Sequence, residues 1–198
     1  FEVDLHKVTA KRLANKKAFE VKYGFGLTFT AYFIHAASLA IQKHSIVNVS
    51  VDGDEILHKN DVNIGCAVAV PSGLIVPVIK KSQELSLVGV AQRLNDVVTR
   101  ARQKQLQAED IVGGTFTISN FGGWGGITAM PIINQPQVAI LGIGAIVKKA
   151  VVVDDNIAIR PQVMLSLTFD HRVIDGEGAA NYLATMKDLL ESDDFGVI

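Results

Sequence analysis

The sequence predicts an α/β fold built on a mixed sheet with flanking helices, and three features predict it. Short segments rich in Val, Ile and Thr face each other across turn formers such as Asp52-Gly53 and Asp154-Asp155, which is how hairpins read. Four longer segments repeat their apolar residues at helical spacing. The two kinds alternate irregularly, with no regular strand–helix–strand series, so the sheet is expected to be mixed.

Taken in order, Phe1 to Leu5 reads as a short strand. Val8, Leu13, Ala14, Ala18 and Val21 then suggest a basic amphipathic helix that Gly24 and Gly26 end. Leu27 to Lys43 is apolar almost all round and should be a buried helix. Ile46 to Val51 and Ile56 to His58 form the hairpin around Asp52-Gly53. Val62 to Val70 and Leu74 to Ile79 are strand-like about the turn at Pro71-Ser72-Gly73. Ser86 is placed to cap a helix reaching about Lys104, with Leu87, Val90, Leu94, Val97 and Ala101 on one face. Thr115 to Ser119 is a strand, followed by a glycine-rich loop from Phe121 to Gly126. Val138 to Val147 is another strand, and Val151 to Val153 with Asn156 to Ile159 make a second hairpin.

Length and composition bound what such a chain does. Its 198 residues fit one large domain, residues 1–198. A net charge of -1 argues against a nucleic-acid or anionic-membrane surface, which needs a basic excess. The longest apolar run, Val138 to Val147, is about half a membrane span and is broken by glycines. A single cysteine cannot form an internal disulfide and fits a reducing compartment.

The chemistry concentrates between Leu165 and Gly178. Leu165, Leu167 and Phe169 alternate with Ser166 and Thr168, as in a strand with one buried face. Beyond Gly176, Ala179, Leu183, Met186 and Leu190 form one stripe of a helix. A strand therefore delivers His171, a turn holds Asp175, and a helix leaves. From spacing alone His171 reads either as a general base fixed by nearby charge or as a half-exposed residue in a turn salt-bridged by Asp170 and Arg172. A metal held by Asp170, His171 and Asp175 lacks further ligands in the sequence.

Ser119 ends its strand before the glycine loop, where a serine often bonds its own backbone. Thr117 shares its strand face. The glycine loop lacks the spacing and following helix of a phosphate-binding turn, so room for a long thin substrate is the better explanation. Cys66 sits in an apolar strand without a basic neighbour and reads as core. His6, His44 and His58 read as surface residues, and His35 as structural. Arg12 reads by composition as one solvated cation on a basic helix.

The heptad Asp170-His171-Arg172-Val173-Ile174-Asp175-Gly176 resembles the signature of the dihydrolipoamide acyltransferases, the E2 cores of 2-oxo acid dehydrogenase complexes and kin of chloramphenicol acetyltransferase. Asn63 to Val70, Gly73 to Ile79, Gly114 to Asn120, Pro131 to Pro136 and Ala139 to Gly142 match the family in order, so the resemblance covers nearly the whole chain. It implies a chloramphenicol-acetyltransferase-like two-layer fold. It implies acyl transfer, acetyl or branched-chain favoured, between dihydrolipoyllysine and coenzyme A, with His171 as base, Ser119 as oxyanion donor and Asp175 bracing the turn. The alternatives are a succinyltransferase of the 2-oxoglutarate complex or a non-catalytic core scaffold.

The resemblance also implies that Arg12 pairs with Asp175. It implies a trimer with sites between subunits, assembling into a cubic or icosahedral core that meets E1 and E3 components through other domains. The lipoyl group would be carried on a separate domain upstream, as would the peripheral-subunit-binding domain, and the catalytic domain is expected to be trimmed at its amino end. Neither a nucleic acid nor a membrane is expected as partner. The expected compartment is the cytoplasm of a bacterium or archaeon, or the mitochondrial matrix of a eukaryote.

Overall fold

A computed structural model of the chain describes residues 1–71, 73–192 and 195. In chain order it contains β1 (Glu2–Asp4), α1 (His6–Tyr23), α2 (Phe29–Lys43), β2 (Val49–Asp52), β3 (Glu55–His58), β4 (Ile64–Cys66), β5 (Val68–Val70), β6 (Gly73–Ile75) and β7 (Val78–Ile79). Then follow α3 (Leu87–Arg102), β8 (Phe116–Asn120), β9 (Ala139–Ile143), β10 (Val147–Val153), β11 (Asn156–Phe169) and α4 (Gly176–Ser192). The main sheet has seven strands in the order β1-β11-β9-β8-β4-β7, with β10 also paired to β11. β4, β8 and β9 run parallel and the other pairs antiparallel, so the sheet is mixed as expected.

Register gives the sheet two unlike faces. Ile64, Phe116, Ile118, Leu141, Ile143 and Leu165 line up across four strands and are all buried. α2 and α4 cover this side, where the Tyr182 ring lies 5.6 Å from that of Phe116. Each such side chain contributes about 1.5–3 kcal/mol by leaving water. The opposite face aligns Gly65, Thr117, Ser119, Gly142, Ser166 and Thr168. The segment 121–138 folds over part of this polar face. The Ser166 hydroxyl donates to the Ala129 carbonyl at 2.6 Å, and a side chain at Gly142 would collide with Ser166 and crowd Pro131.

Several elements depart from the periodicity. α1 was expected to bury Leu13 and Val21, yet these are 70% and 81% exposed, while Val8 and Phe19 are buried. The Phe19 ring packs tilted against Tyr23 at 4.6 Å and edge-to-face against Phe25 at 5.4 Å, and that aromatic cluster chooses the buried face. The two segments 62–70 and 74–79 each split. β4 and β7 stay in the main sheet, whereas β5 and β6 leave it as a separate hairpin. β11 is one strand of 14 residues, joining two stretches that periodicity separates. His44 is no free surface residue, since its Nε2 lies 2.8 Å from the Thr185 hydroxyl of α4. His35 is buried, which lowers its pKa by desolvation.

The glycine loop also has a local explanation. A side chain at Gly122 would strike the backbone of Gly144, and one at Gly144 would strike the Ile127 carbonyl. Those glycines let the loop backbone lie against the end of β9. At Gly123 and Gly125 an added Cβ meets nothing within 4 Å, but Gly125 takes a φ of 82°, which itself calls for glycine, so room for a substrate remains an explanation at Gly123.

Candidate active site

The last residues of β11 run straight into the turn. The Asp170 amide donates to the Val138 carbonyl at 2.8 Å, and the Asp170 carbonyl accepts from the amides of Val173 at 3.1 Å and Ile174 at 3.0 Å. Its carboxylate accepts from the Arg172 amide at 3.0 Å and takes the Arg172 guanidinium in a two-pronged pair, with Nε 2.9 Å from Oδ1 and Nη2 2.6 Å from Oδ2. Those bonds to Arg172 hold the Asp170 carboxyl down at about 2. Ile174 is buried and pins the turn to the core. His171 stands exposed at the apex, its ring 5.6 Å from that of Phe169.

Asp175 begins the helix. Its carboxylate accepts from the Gly178 amide at 2.7 Å and its carbonyl from the Ala179 amide at 3.1 Å, a capping arrangement for α4. Asp175 therefore braces the turn through the helix it starts. The expected ion pair with Arg12 is not made. The Arg12 Nε donates to the Leu27 carbonyl at 2.7 Å, and the guanidinium lies 4.6 Å over the Phe29 ring. A carbonyl left open before α2 and an aromatic face are nearer partners for that side chain than Asp175. Arg12 instead lines a cleft of about 300 Å³ with Thr28, Asn120, Gly122 and Gly144.

Ser119 is half-buried near the end of β8, level with Gly142 of β9. Among the described residues its hydroxyl has no hydrogen-bond partner. Thr117, on the same face, is engaged: its hydroxyl donates to Gln137 Oε1 at 2.6 Å inside the protein. Sequence reasoning did not reach Gln137, whose only signal is a polar residue beside the apolar run from Val138. Nor did it reach Asn120, which donates to the Thr30 hydroxyl at 3.1 Å and accepts from the Gly122 amide at 3.1 Å.

Within one chain the two candidate groups are far apart. Ser119 is level with Gly142, and Gly142 with Ser166, two strand spacings across the sheet. His171 lies five residues beyond Ser166. At about 3.3 Å per residue and about 4.8 Å per strand, the separation is roughly 15–20 Å. No single copy brings both to one reacting atom.

A cleft of about 1100 Å³ opens beside the His171 turn, lined by Met130, Ile132, Gln137, Thr168, Asp170 and Arg172 among others. Met130 and Ile132 are 89% and 90% exposed in the isolated chain. Cys66 is buried and its thiol is pushed up to about 12 by desolvation, which removes it as a nucleophile. No group of three or more His, Cys, Asp or Glu is placed to hold a metal among the described residues, and none of their helices is long and apolar enough to cross a membrane.

Comparison with known proteins places this geometry in context. The catalytic domain of the 2-oxoacid dehydrogenases acyltransferase family matches residues 1–195. The succinyltransferase component of the 2-oxoglutarate dehydrogenase complex of Rickettsia typhi is 39% identical over 191 residues, 96% of this chain and 48% of that protein. The acetyltransferase component of the pyruvate dehydrogenase complex of Corynebacterium glutamicum is 42% identical over 200 residues, 98% of this chain and 30% of that one. The branched-chain lipoamide acyltransferase component of Bacillus subtilis is 42% identical over 194 residues, 98% of this chain and 46% of its own. The chain thus spans half or less of the length of these relatives.

Among solved structures, a probable dihydrolipoamide acetyltransferase from Listeria monocytogenes superposes with a TM-score of 0.95 at 38% identity, covering 97% of this chain and 82% of that one. The dihydrolipoamide acetyltransferase of Azotobacter vinelandii, and the cubic core of a pyruvate dehydrogenase multienzyme complex, each superpose at 0.93 with 34% identity, covering 98% of this chain and 80% of theirs. Chloramphenicol acetyltransferase, at 14% identity and 0.58 over 96% of this chain and 86% of its own, shares the fold. The chain belongs to the 2-oxoacid dehydrogenase acyltransferases, of which it carries the catalytic domain.

Proposed function

We propose that this domain moves an acyl group between the thiol of a dihydrolipoyl group and that of coenzyme A. One observation carries the reading. In the Azotobacter vinelandii enzyme, a serine, a histidine and an asparagine studied for their role in catalysis are separated by 52 and four residues. Those are the separations of Ser119, His171 and Asp175 here, with aspartate in the place of asparagine. The free hydroxyl of Ser119, the occupied hydroxyl of Thr117 and the exposed imidazole of His171 all favour these roles.

In this mechanism His171 takes the proton of the attacking thiol, because the thiolate is the nucleophile. The thiolate adds to the acyl carbonyl, and the Ser119 hydroxyl donates to the oxygen that becomes negative. The tetrahedral adduct collapses, the carbon–sulfur bond to the leaving thiolate breaks, and His171 returns the proton to that sulfur. Transfer is direct, with no acyl-enzyme. Asp175 holds the turn through α4.

The long separation of His171 and Ser119 in one chain supports a site shared between copies. His171 of one subunit would then work with Ser119 of its neighbour. We propose a trimer, assembling further into a hollow core, with the lipoyl group on a separate domain and E1 and E3 components as partners. The cubic core among the structural neighbours and the greater length of the relatives favour this arrangement.

For the acyl group we favour acetyl or branched-chain. A succinyl donor is the second reading, because succinyltransferase components are similarly related at 39% and 41% identity. Assaying the assembled chain with acetyl-, isobutyryl- and succinyl-coenzyme A and dihydrolipoamide tests both. One thioester should be used at least tenfold better than the others, and His171→Ala should abolish its use. No transfer from any of the three overturns the reading.

A further inference from the structure

We propose that Arg172 is a positioning residue for His171: its two-pronged hold on Asp170 keeps that carboxylate off the adjacent imidazole. The inference rests on His171 being the base of the proposed reaction. In this turn a carboxylate, Asp170, stands immediately before a histidine that must accept a proton. An unbalanced carboxylate next to an imidazole favours the imidazolium and so raises its pKa. It also offers a ring N–H a partner that would turn the ring away from its substrate.

The geometry removes both effects. The Asp170 carboxylate receives the Arg172 amide at 3.0 Å and Nε at 2.9 Å on Oδ1, and Nη2 at 2.6 Å on Oδ2. A planar guanidinium fork matches a carboxylate edge in this way, and it carries the balancing charge. The Asp170 side chain is 20% accessible and that of Arg172 73%, so the guanidinium lies on the solvent side of the pair. The depressed carboxyl of Asp170 agrees with a pair that stays made at any pH where the reaction runs.

The other charged groups around the turn are engaged elsewhere or lie on neighbouring elements. Asp175 is engaged with the Gly178 amide, and Glu177 lies on the first turn of α4. Asp52, Asp54 and Glu55 surround the hairpin tip whose Gly53 lines the same cleft as Asp170 and Arg172. The segment 121–138 packed against the turn carries no titratable side chain. The two meanings that the sequence left open for this turn, an ion pair or a base, thus become one device.

The test separates positioning from mere support of the loop. In the assembled chain, Arg172→Gln should move the acidic limb of the kcat/KM profile upward by about 0.5–1 pH unit, the scale of one partly solvated carboxylate beside an imidazole. The carbon-bound ring proton of His171, followed by NMR with His171→Gln identifying its signal, should titrate higher by the same amount. Adding Asp170→Asn to Arg172→Gln should return both to their original positions, and Arg172→Lys should lie between. An unmoved limb and titration in Arg172→Gln, or no return in the double variant, overturns the proposal. The titration needs no substrate. If it moves as described while the unaltered chain transfers no acyl group, the hold of Arg172 stands and the acyltransferase reading fails.

Discussion

Consider the Ser119 hydroxyl removed by Ser119→Ala. Among the described residues that hydroxyl bonds to nothing, and the residue is only half-buried. Its loss leaves no orphaned donor or acceptor, so the cost in folding free energy should stay within about 0.5 kcal/mol. The cost in rate is a different matter. If the hydroxyl faces the developing oxyanion, its loss removes about 2.7–4 kcal/mol of transition-state stabilisation, or about 10²–10³ in kcat. Thr117→Val supplies the contrast on the same strand face. It breaks a buried 2.6 Å bond and leaves Gln137 Oε1 unpaired, a cost of about 1–3 kcal/mol in stability. Its effect on kcat should be small, because that hydroxyl is already committed. The assay is initial rate at saturating thioester and dihydrolipoamide, beside urea unfolding of each variant. The reasoning fails if Ser119→Ala keeps kcat within threefold of the parent chain, or if Thr117→Val slows catalysis as much.

Three further outcomes follow from particular contacts. Gly144→Ala should lower the thermal midpoint by several degrees because its Cβ strikes the Ile127 carbonyl, whereas Gly123→Ala should leave it unchanged; equal effects would contradict the close-packing account. The Asp170–Arg172 pair adds stability that is fully present above the ordinary carboxyl range and lost as pH falls through about 2. The Asp170 carboxyl carbon should accordingly titrate near 2 by NMR, and a midpoint near 4 would deny the pair. Cys66 should resist a thiol-modifying disulfide reagent at pH 8 until the chain is unfolded; prompt native-state reaction would contradict its burial.

Much of this was legible in the residues. The switch from strand period to helix period between Phe169 and Ala179 located the turn, because Leu165, Leu167 and Phe169 pack on the core and Ala179, Leu183, Met186 and Leu190 of α4 are buried in it. α2 was legible because it is buried nearly all round, and α3 because Ser86 caps it by accepting from the Gly89 amide at 3.2 Å. What escaped were properties decided by distant partners. Leu13 and Val21 looked like core until the Phe19 cluster set the other face of α1. The break of the segment 62–70 at Ala67 depends on a strand neighbour 51 residues away, since the Ala67 amide donates to the Ile118 carbonyl. The partners of Arg12 and Thr117 could not be read either, because each lies across a loop from its contact. The distance between His171 and Ser119 needed the register of three strands, which no local pattern encodes.

That distance supplies the most direct test of a catalytic site completed by two copies. His171→Ala and Ser119→Ala chains, each inactive or nearly so, are dissociated together and reassembled, with exchange verified by mass. A shared site regenerates some interfaces with both groups intact, so a clear fraction of the parent activity returns. Verified mixed assemblies no more active than the two separate variants would contradict it.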